Sequence, residues 1–193
     1  MNKVKEFFDE RADNWNDYQT ETLNDLKALL ALVPLKKGMR VLDLACGTGI
    51  ISELLQSITE SKVTAIDISD SMIKNAIKGH AGADIDFKVA NFYEYDDSPF
   101  DAIVCFNAYP HFLDVDGFVN KAYSLLKKDG YLVILHSMGR VCLDKHHAAF
   151  AANVSRHLKT PKDEYVSYKD KFILEKEIDT DSKYLMLLKK AEN

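Results

Sequence analysis

No stretch of the 193-residue sequence approaches the apolar run of ~20 residues that a membrane-spanning helix needs. The opening Met1-Asn2-Lys3-Val4-Lys5-Glu6 also lacks the apolar core of a secretory signal, so a cytoplasmic protein without a membrane span is expected. Cysteine is scarce: Cys46, Cys105 and Cys142 are odd in number and widely spaced, with no Cys-x-x-Cys pair. That argues against a disulfide framework or a redox pair and leaves reduced, mostly buried thiols. Excess positive charge is missing too. The formal net charge is -5, whereas nucleic-acid binders normally display a basic field, so no nucleic-acid partner is expected. Internal repeats and low-complexity tracts are absent, and no pattern marks an oligomeric interface, so the oligomeric state stays unknown at this level.

What is present is ordinary for a globular protein, with 47% hydrophobic and 28% charged residues. The length fits one domain, residues 1–193, large enough for a sheet-and-helix core. Its distinctive stretch is Val41-Leu42-Asp43-Leu44-Ala45-Cys46-Gly47-Thr48-Gly49-Ile50-Ile51, which reads as a buried strand, a small-residue turn and a helix begun by Ile50 and Ile51. Such a bend presents backbone N–H groups at the carboxyl edge of an α/β sheet, where cofactor crevices form. A dinucleotide site needs G-x-G-x-x-G to seat a pyrophosphate. Here the order is Asp43-x-Ala45-x-Gly47-x-Gly49, with no glycine three residues after Gly49. The carboxylate would repel a pyrophosphate, and a ligand with a cationic amino-acid end fits better. The plainer reading is an ordinary strand-turn-helix in which Asp43 stabilises the turn. A second β-branched run, Lys62-Val63-Thr64-Ala65-Ile66, also ends in a carboxylate, Asp67.

The Asp43-to-Gly49 stretch resembles motif I of the class I S-adenosylmethionine-dependent methyltransferases, departing from it in having Ala45 for the first glycine. Asp67-Ile68-Ser69-Asp70-Ser71-Met72 matches the usual sequence at the family's second strand end. The resemblance covers residues 6 to 190 and implies a small-molecule type of enzyme, similar to the ubiquinone/menaquinone-biosynthesis-like group. It implies a doubly wound α/β fold, Rossmann-like, with a seven-stranded mostly parallel sheet, a reversed last strand and an N-terminal helical lid. The implied cofactor is S-adenosyl-L-methionine, with S-adenosyl-L-homocysteine as product. Asp43, Ala45, Gly47 and Gly49 would seat its methionine end. Asp67 stands where a strand-end acid accepts from both ribose hydroxyls. Ile68 and Met72 would wall the adenine, Met72 having a core role as the other reading. Asn91 occupies the place of a common acidic residue, and its amide oxygen can accept from the adenine amino group uncharged. Phe92 and Phe106, which follow the third and fourth strands, belong with the same contacts.

The remaining chain fills in around these motifs. Residues 1–33 form a helical lead-in, and Phe7 to Asn16 is similar to the opening of small-molecule methyltransferases, so Trp15 or Tyr18 either closes the methionine side of the pocket or packs a helix on the sheet. Ser69 or Asp70 can cap the helix after the second strand. Ile85 to Val89 reads as the third strand and Phe100 to Cys105 as the fourth. The fourth strand runs into Phe106-Asn107-Ala108-Tyr109-Pro110-His111-Phe112, whose position at a topological switch point makes Asn107 and Tyr109 substrate-binding candidates. His111 is the leading general base, with loop ordering or substrate contact as the other readings; His147 is second. The segment resembles the Asn-Pro-Pro-Tyr signature of amino-methylating nucleic-acid enzymes but lacks the proline after Asn107. A helix is expected over Asp114 to Lys127, then a turn over Lys127 to Gly130 and the fifth strand over Tyr131 to Leu135.

Residues 136–160 form a substrate-side segment. Arg140 either holds a substrate carboxylate or is a surface residue. His136, His146, His147 and His157 show no ligand interval with a carboxylate or thiolate, so no metal is expected. Thr160-Pro161-Lys162-Asp163 predicts a helix reaching Lys171-Phe172, and two antiparallel strands, Ile173 to Ile178 and Tyr184 to Lys189, close the fold. The expected reaction is methyl transfer to a small acceptor. The alternatives are a nucleic-acid or protein methyltransferase, a non-catalytic cofactor-binding module and, least favoured, a dehydrogenase.

Overall fold

Two short runs, Val41-Leu42-Asp43-Leu44 and Val63-Thr64-Ala65-Ile66-Asp67, are buried at every position in the computed structural model, which describes residues 2–192. Burial on both faces is what parallel strands covered by crossover helices undergo, and the sequence supplies it with near-continuous apolar side chains. The chain divides into two compact units, Met1–Asp96 and Asp97–Asn193.

The first unit runs α1 (Lys3–Asp9), a 3-10 helix (Ala12–Tyr18), α2 (Leu23–Leu30), β1 (Val41–Leu44), α3 (Ser52–Thr59), β2 (Val63–Asp67), α4 (Asp70–Gly79) and β3 (Ile85–Val89). Its three strands are parallel, with Leu44 opposite Ile66 and Asp67 opposite Val89. Helix α3 starts at Ser52 and not at Ile50, because the chain is still turning at Gly49, where φ is +87°. Thr22 and Asp25 form a reciprocal capping box that opens α2. Ser69, and not Asp70, caps α4 by accepting from the Met72 N–H at 3.0 Å. Cys46, Ala65 and Ile73 pack with Ile85 and Phe87 between α4 and the strands. Removing a buried aliphatic side chain of this kind from water is worth about 1.5–3 kcal/mol.

The N-terminal helices form a lid on this unit. Asp9 at the end of α1 accepts from the Ser69 hydroxyl at 2.6 Å and from the Ser71 N–H at 3.2 Å. Lys5 bridges Asp9 and Asp70. The 3-10 helix is tied to α4 by Asn75, whose side-chain nitrogen donates to the Ala12 carbonyl at 2.9 Å.

The second unit contains β4 (Phe100–Phe106), a 3-10 turn (Tyr109–His111), α5 (Val115–Leu125), β5 (Leu126–His136), α6 (Arg140–Phe150), α7 (Pro161–Tyr165), β6 (Phe172–Asp179) and β7 (Tyr184–Lys190). β5 is parallel to β4, and β7 runs antiparallel to both β5 and β6. The expected reversed last strand is therefore β7. The seven strands follow the order β3-β2-β1-β4-β5-β7-β6.

Two further expected boundaries shift. The helix expected to reach Lys127 ends at Leu125, because Leu126 already pairs with Phe100 of β4. The residues from Lys127 to Gly130 then bulge before Tyr131 pairs with Ala102; Asp129 takes a φ of +60°, and Lys127 holds Asp101 at 2.9 Å. The helix begun by Thr160 and Pro161 stops at Tyr165. Beyond it the chain continues as tightened turns, with the Tyr165 hydroxyl reaching forward to the Phe172 carbonyl at 3.0 Å. Among the described residues no helix is long and apolar enough to cross a membrane.

Candidate functional site

In the first unit, β1 and β2 bring two acids to their carboxyl ends. Asp43 is 1% exposed and accepts from the Ser52 hydroxyl of α3 at 2.6 Å. Burial pushes its carboxyl up to about 7; the Ser52 bond and His80 oppose that shift, and Asp67 adds to it. Asp67, also buried, accepts from the Gly47 N–H and the Ser69 N–H, each at 2.9 Å. Its carboxyl is raised by burial, against the pull of those backbone donors. A carboxylate has about four lone-pair sites, so two backbone donors leave room for hydroxyl donors on the same oxygens.

The turn between β1 and α3 alternates left-handed residues: φ is +55° at Ala45, +55° at Gly47 and +87° at Gly49. At Ala45 this conformation costs about 1–2 kcal/mol, which a glycine escapes. Substitution of the first motif glycine by alanine is therefore small in volume but not in backbone energy. A Cβ added at Gly47 would lie 3.6 Å from Nε1 of Trp15, so the Trp15 ring lies over this turn. Asn16 reinforces that placement by accepting from the Thr48 hydroxyl at 2.6 Å. Tyr18, in contrast, is 70% exposed.

The candidate adenine contacts divide. Met72 is buried on α4 and Ile68 half-buried at the end of β2. Phe92 is buried after β3. Asn91 begins a turn: its side-chain oxygen accepts from the Tyr93 N–H at 3.2 Å, and its side-chain nitrogen donates to Glu94 at 3.0 Å. The oxygen keeps a second lone pair.

In the second unit, Phe106 is buried at the end of β4, and the next residue, Asn107, has a φ of +51°. The Asn107 side chain is bound to Ser137 after β5, donating to its hydroxyl and accepting from its N–H, both at 2.9 Å. Tyr109, expected at the substrate, is fully buried. Its hydroxyl donates to Glu164 at 3.0 Å and accepts from Tyr168 at 2.7 Å. Arg156 grips the same Glu164 at 2.6 and 3.2 Å and lies 4.5 Å above the Tyr109 ring. Tyr109 thus anchors the loop from inside. Arg140 is likewise engaged, donating from Nε to Asp179 at 3.1 Å. The glycine before it is demanded by packing, since a Cβ on Gly139 would collide with the backbone of Thr180 and Asp181.

The structure brings His111 and His147 together, with ring centroids 5.0 Å apart. The His111 Nδ1–H donates to the Val154 carbonyl at 2.9 Å, which places the ring's lone pair on Nε2. Burial pushes His111 down to about 4, opposed by the Val154 bond and assisted by His147. The ring is therefore neutral at physiological pH but less basic than an ordinary imidazole. His147 is also lowered, by burial first and His146 second, and its Nδ1 meets no partner among the described residues. His136, at the end of β5, is fully buried with neither ring nitrogen hydrogen-bonded among the described residues. Burial pushes it down to about 3, with His147 and His111 contributing. Among the described residues no group of three or more His, Cys, Asp or Glu side chains is placed to hold a metal ion.

Ser52, Asn16 and Asp9 take their roles from partners that no sequence pattern names. His136 enters the sequence reading only among the four histidines weighed for a metal; a polar side chain at the carboxyl end of an apolar strand is the further signal it carries.

A methyltransferase domain family profile matches residues 35–190. A malonyl-[acyl-carrier protein] O-methyltransferase of Acetivibrio thermocellus is 29% identical over 147 residues, 74% of this chain and 52% of that protein. A ubiquinone biosynthesis O-methyltransferase of Xylella fastidiosa is 36% identical over 107 residues, 53% of this chain and 43% of that protein. The chain thus spans about half the length of these curated relatives. Among solved structures, one of the complex between the Haloferax volcanii Trm112 methyltransferase activator and a methyltransferase matches with a TM-score of 0.84, 16% identity and 99% of both chains covered. The N-methyltransferase NodS of Bradyrhizobium japonicum, in complex with S-adenosyl-L-homocysteine, matches with a TM-score of 0.73, 13% identity and 100% of both chains covered. At these identities the structural likenesses are likenesses of fold.

Proposed function

The chain belongs to the methyltransferase domain family, and from that membership we propose that it works as one domain transferring the methyl group of S-adenosyl-L-methionine to a small-molecule acceptor. The observation that carries this reading is the pair of buried acids at the ends of β1 and β2. Asp43 and Asp67 flank a turn of left-handed residues that Trp15 covers. Their charge opposes a pyrophosphate and suits an ammonium group and a ribose diol, so the residues present fit this cofactor. The family profile spans parts of both units, which supports a single functional domain.

When bound, the cofactor supplies an electrophilic sulfonium methyl group. Asp43 holds the ammonium end, and since its carboxyl is raised to about 7, it gives up a proton to do so at neutral pH. Asp67 accepts from the ribose hydroxyls with the lone pairs that Gly47 and Ser69 leave. Trp15, pinned by the Asn16–Thr48 bond, excludes water from the turn, and Asn91, Ile68, Met72 and Phe92 receive the adenine. On the acceptor side, His111 Nε2 takes the proton of an acidic hydroxyl or amine, and His147 is the second candidate. Alignment of the reacting groups and exclusion of water can supply much of the rate without a covalent step.

The net charge of -5 supports a small acceptor over a nucleic acid. Likeness to a ubiquinone biosynthesis O-methyltransferase supports placement near the quinone-biosynthesis group. Likeness to a malonyl-[acyl-carrier protein] O-methyltransferase favours a second reading, a small acyl acceptor presented on a carrier protein.

The test is calorimetric titration with S-adenosylmethionine, S-adenosylhomocysteine and NAD, alongside Asp67→Ala. Saturable binding of the first two, lost in the variant, is expected. Binding of NAD alone would overturn the reading.

A further inference from the structure

His80 stands at the carboxyl end of α4, and both of its ring nitrogens face oxygen. Nε2 is 3.0 Å from the Thr48 carbonyl, in the middle of the candidate cofactor turn. Nδ1 is 2.7 Å from Oε1 of Glu53 on α3. A carbonyl and an ionised carboxylate only accept hydrogen bonds, and a neutral imidazole carries one N–H. The neutral ring therefore serves one of these partners and turns a lone pair on the other. The doubly protonated ring serves both.

The ring is also wedged in place. A Cβ added at Gly49 would sit 2.8 Å from His80 Nε2 and 3.1 Å from Phe87 Cε1. The His80 and Phe87 rings lie 5.7 Å apart, tilted by 30°. Thr48 is thus held on two sides: His80 takes its carbonyl, while its hydroxyl donates to Asn16 of the lid at 2.6 Å. One residue of the turn couples the end of α4 to the segment that carries Trp15.

We propose that His80 is a positioning residue for the cofactor turn, its ring set between Glu53 and the Thr48 carbonyl so that it holds the turn and lid in the arrangement that binds cofactor. This rests on the cofactor reading above. The charged groups set against the ring are Glu53 from α3 and Asp43 from β1; β3 presents the uncharged Phe87 ring. The Glu53 side chain is 57% exposed against 19% for His80, so Glu53 is free to swing away while the Thr48 carbonyl is not.

The experiment measures S-adenosylhomocysteine affinity by calorimetry for the full chain, His80→Gln and His80→Phe, each first shown to be folded by thermal melting. Glutamine keeps an N–H donor for Thr48; phenylalanine keeps the ring between Gly49 and Phe87 without a donor. The phenylalanine variant should bind about tenfold more weakly than the wild type, and glutamine should restore most of that loss. A phenylalanine variant that binds like the wild type, or a glutamine variant as weak as phenylalanine, would overturn the inference. If the wild type binds none of the ligand, the cofactor reading fails and this role of His80 fails with it.

Discussion

Asp43 and Ser52 meet in a 2.6 Å hydrogen bond at the buried end of β1, joining the strand's only acid to the first residue of α3. This contact satisfies one carboxyl oxygen but does not offset the loss of water, so the folded protein holds a proton on Asp43 up to about pH 7. In the unfolded chain an ordinary aspartate releases it near 4. The folded state therefore binds the proton more tightly. The stability this gives is complete below the unfolded value and is lost as pH rises through about 7. Asp43→Asn keeps an acceptor for Ser52 and cannot ionise. It should melt at least as high as the wild type at pH 8, flatten the pH dependence of melting between pH 5 and 8, and bind S-adenosylmethionine at least about tenfold more weakly. Unchanged melting profiles would contradict the buried, protonated acid.

Ala45 occupies a left-handed conformation, with φ of +55°, that costs a non-glycine residue about 1–2 kcal/mol. Glycine gains less than this, since it loses more backbone freedom on folding, by about 0.5–1 kcal/mol. Ala45→Gly should therefore stabilise by about 0.5–1 kcal/mol, raising the melting temperature by ~1–4 °C in a domain of this size. A fall in melting temperature would mean that the alanine methyl contributes packing that outweighs the strain.

Much of this turn is legible in the sequence, because β1 and β2 are short apolar runs that carry an acid at or near their ends, and the glycines between β1 and α3 have few other uses. The strain at Ala45 is not, since alanine carries no sign of its φ. Helix α7 shows the same limit. Thr160, Pro161 and Asp163 mark its start, and Thr160 does cap it. Its end is decided elsewhere: Glu164 is drawn to Arg156 and to Tyr109, and Tyr165 reaches Phe172. The bond from Tyr109 to Glu164 spans 55 residues, so no local pattern announces it. The place of Tyr109 after the fourth strand points to the substrate, whereas its hydroxyl is engaged by Glu164 and Tyr168.

The Glu164 cluster orders the loop that carries His111. Arg156 donates from its backbone to Pro110 at 3.0 Å and from Nε to Phe112 at 3.3 Å, while Glu164 is buried to 3% exposure. Glu164→Gln leaves the Arg156 guanidinium without its counter-charge, and breaking a buried pair in this way costs ~3–5 kcal/mol. Tyr168→Phe removes only one hydroxyl and should cost about 1 kcal/mol. Denaturant unfolding of the two variants should show this ranking, and equal effects would show that the charge pair and the tyrosine bond do not differ as their burial requires.

His136 is fully buried with no hydrogen bond to either ring nitrogen among the described residues. The folded protein must keep this ring neutral down to about pH 3, whereas an unfolded histidine takes its proton near 6.5. The unfolded state therefore binds the proton first as pH falls. Stability is full above about 6.5 and declines as pH drops toward the folded value. His136→Leu removes both unpartnered nitrogens, each carrying an unmet desolvation penalty of about 1–3 kcal/mol, and forfeits an edge contact with the Tyr184 ring at 6.0 Å. The contact is worth about 0.5–1.5 kcal/mol, so removal of the nitrogens dominates. The variant should be no less stable than the wild type at pH 7.5 and clearly more stable at pH 4.5, with a shallower loss of melting temperature between them. A variant destabilised at both values would show that His136 finds hydrogen-bonding partners in solution, and a methyl acceptor or a buried water would then be the group to seek beside it.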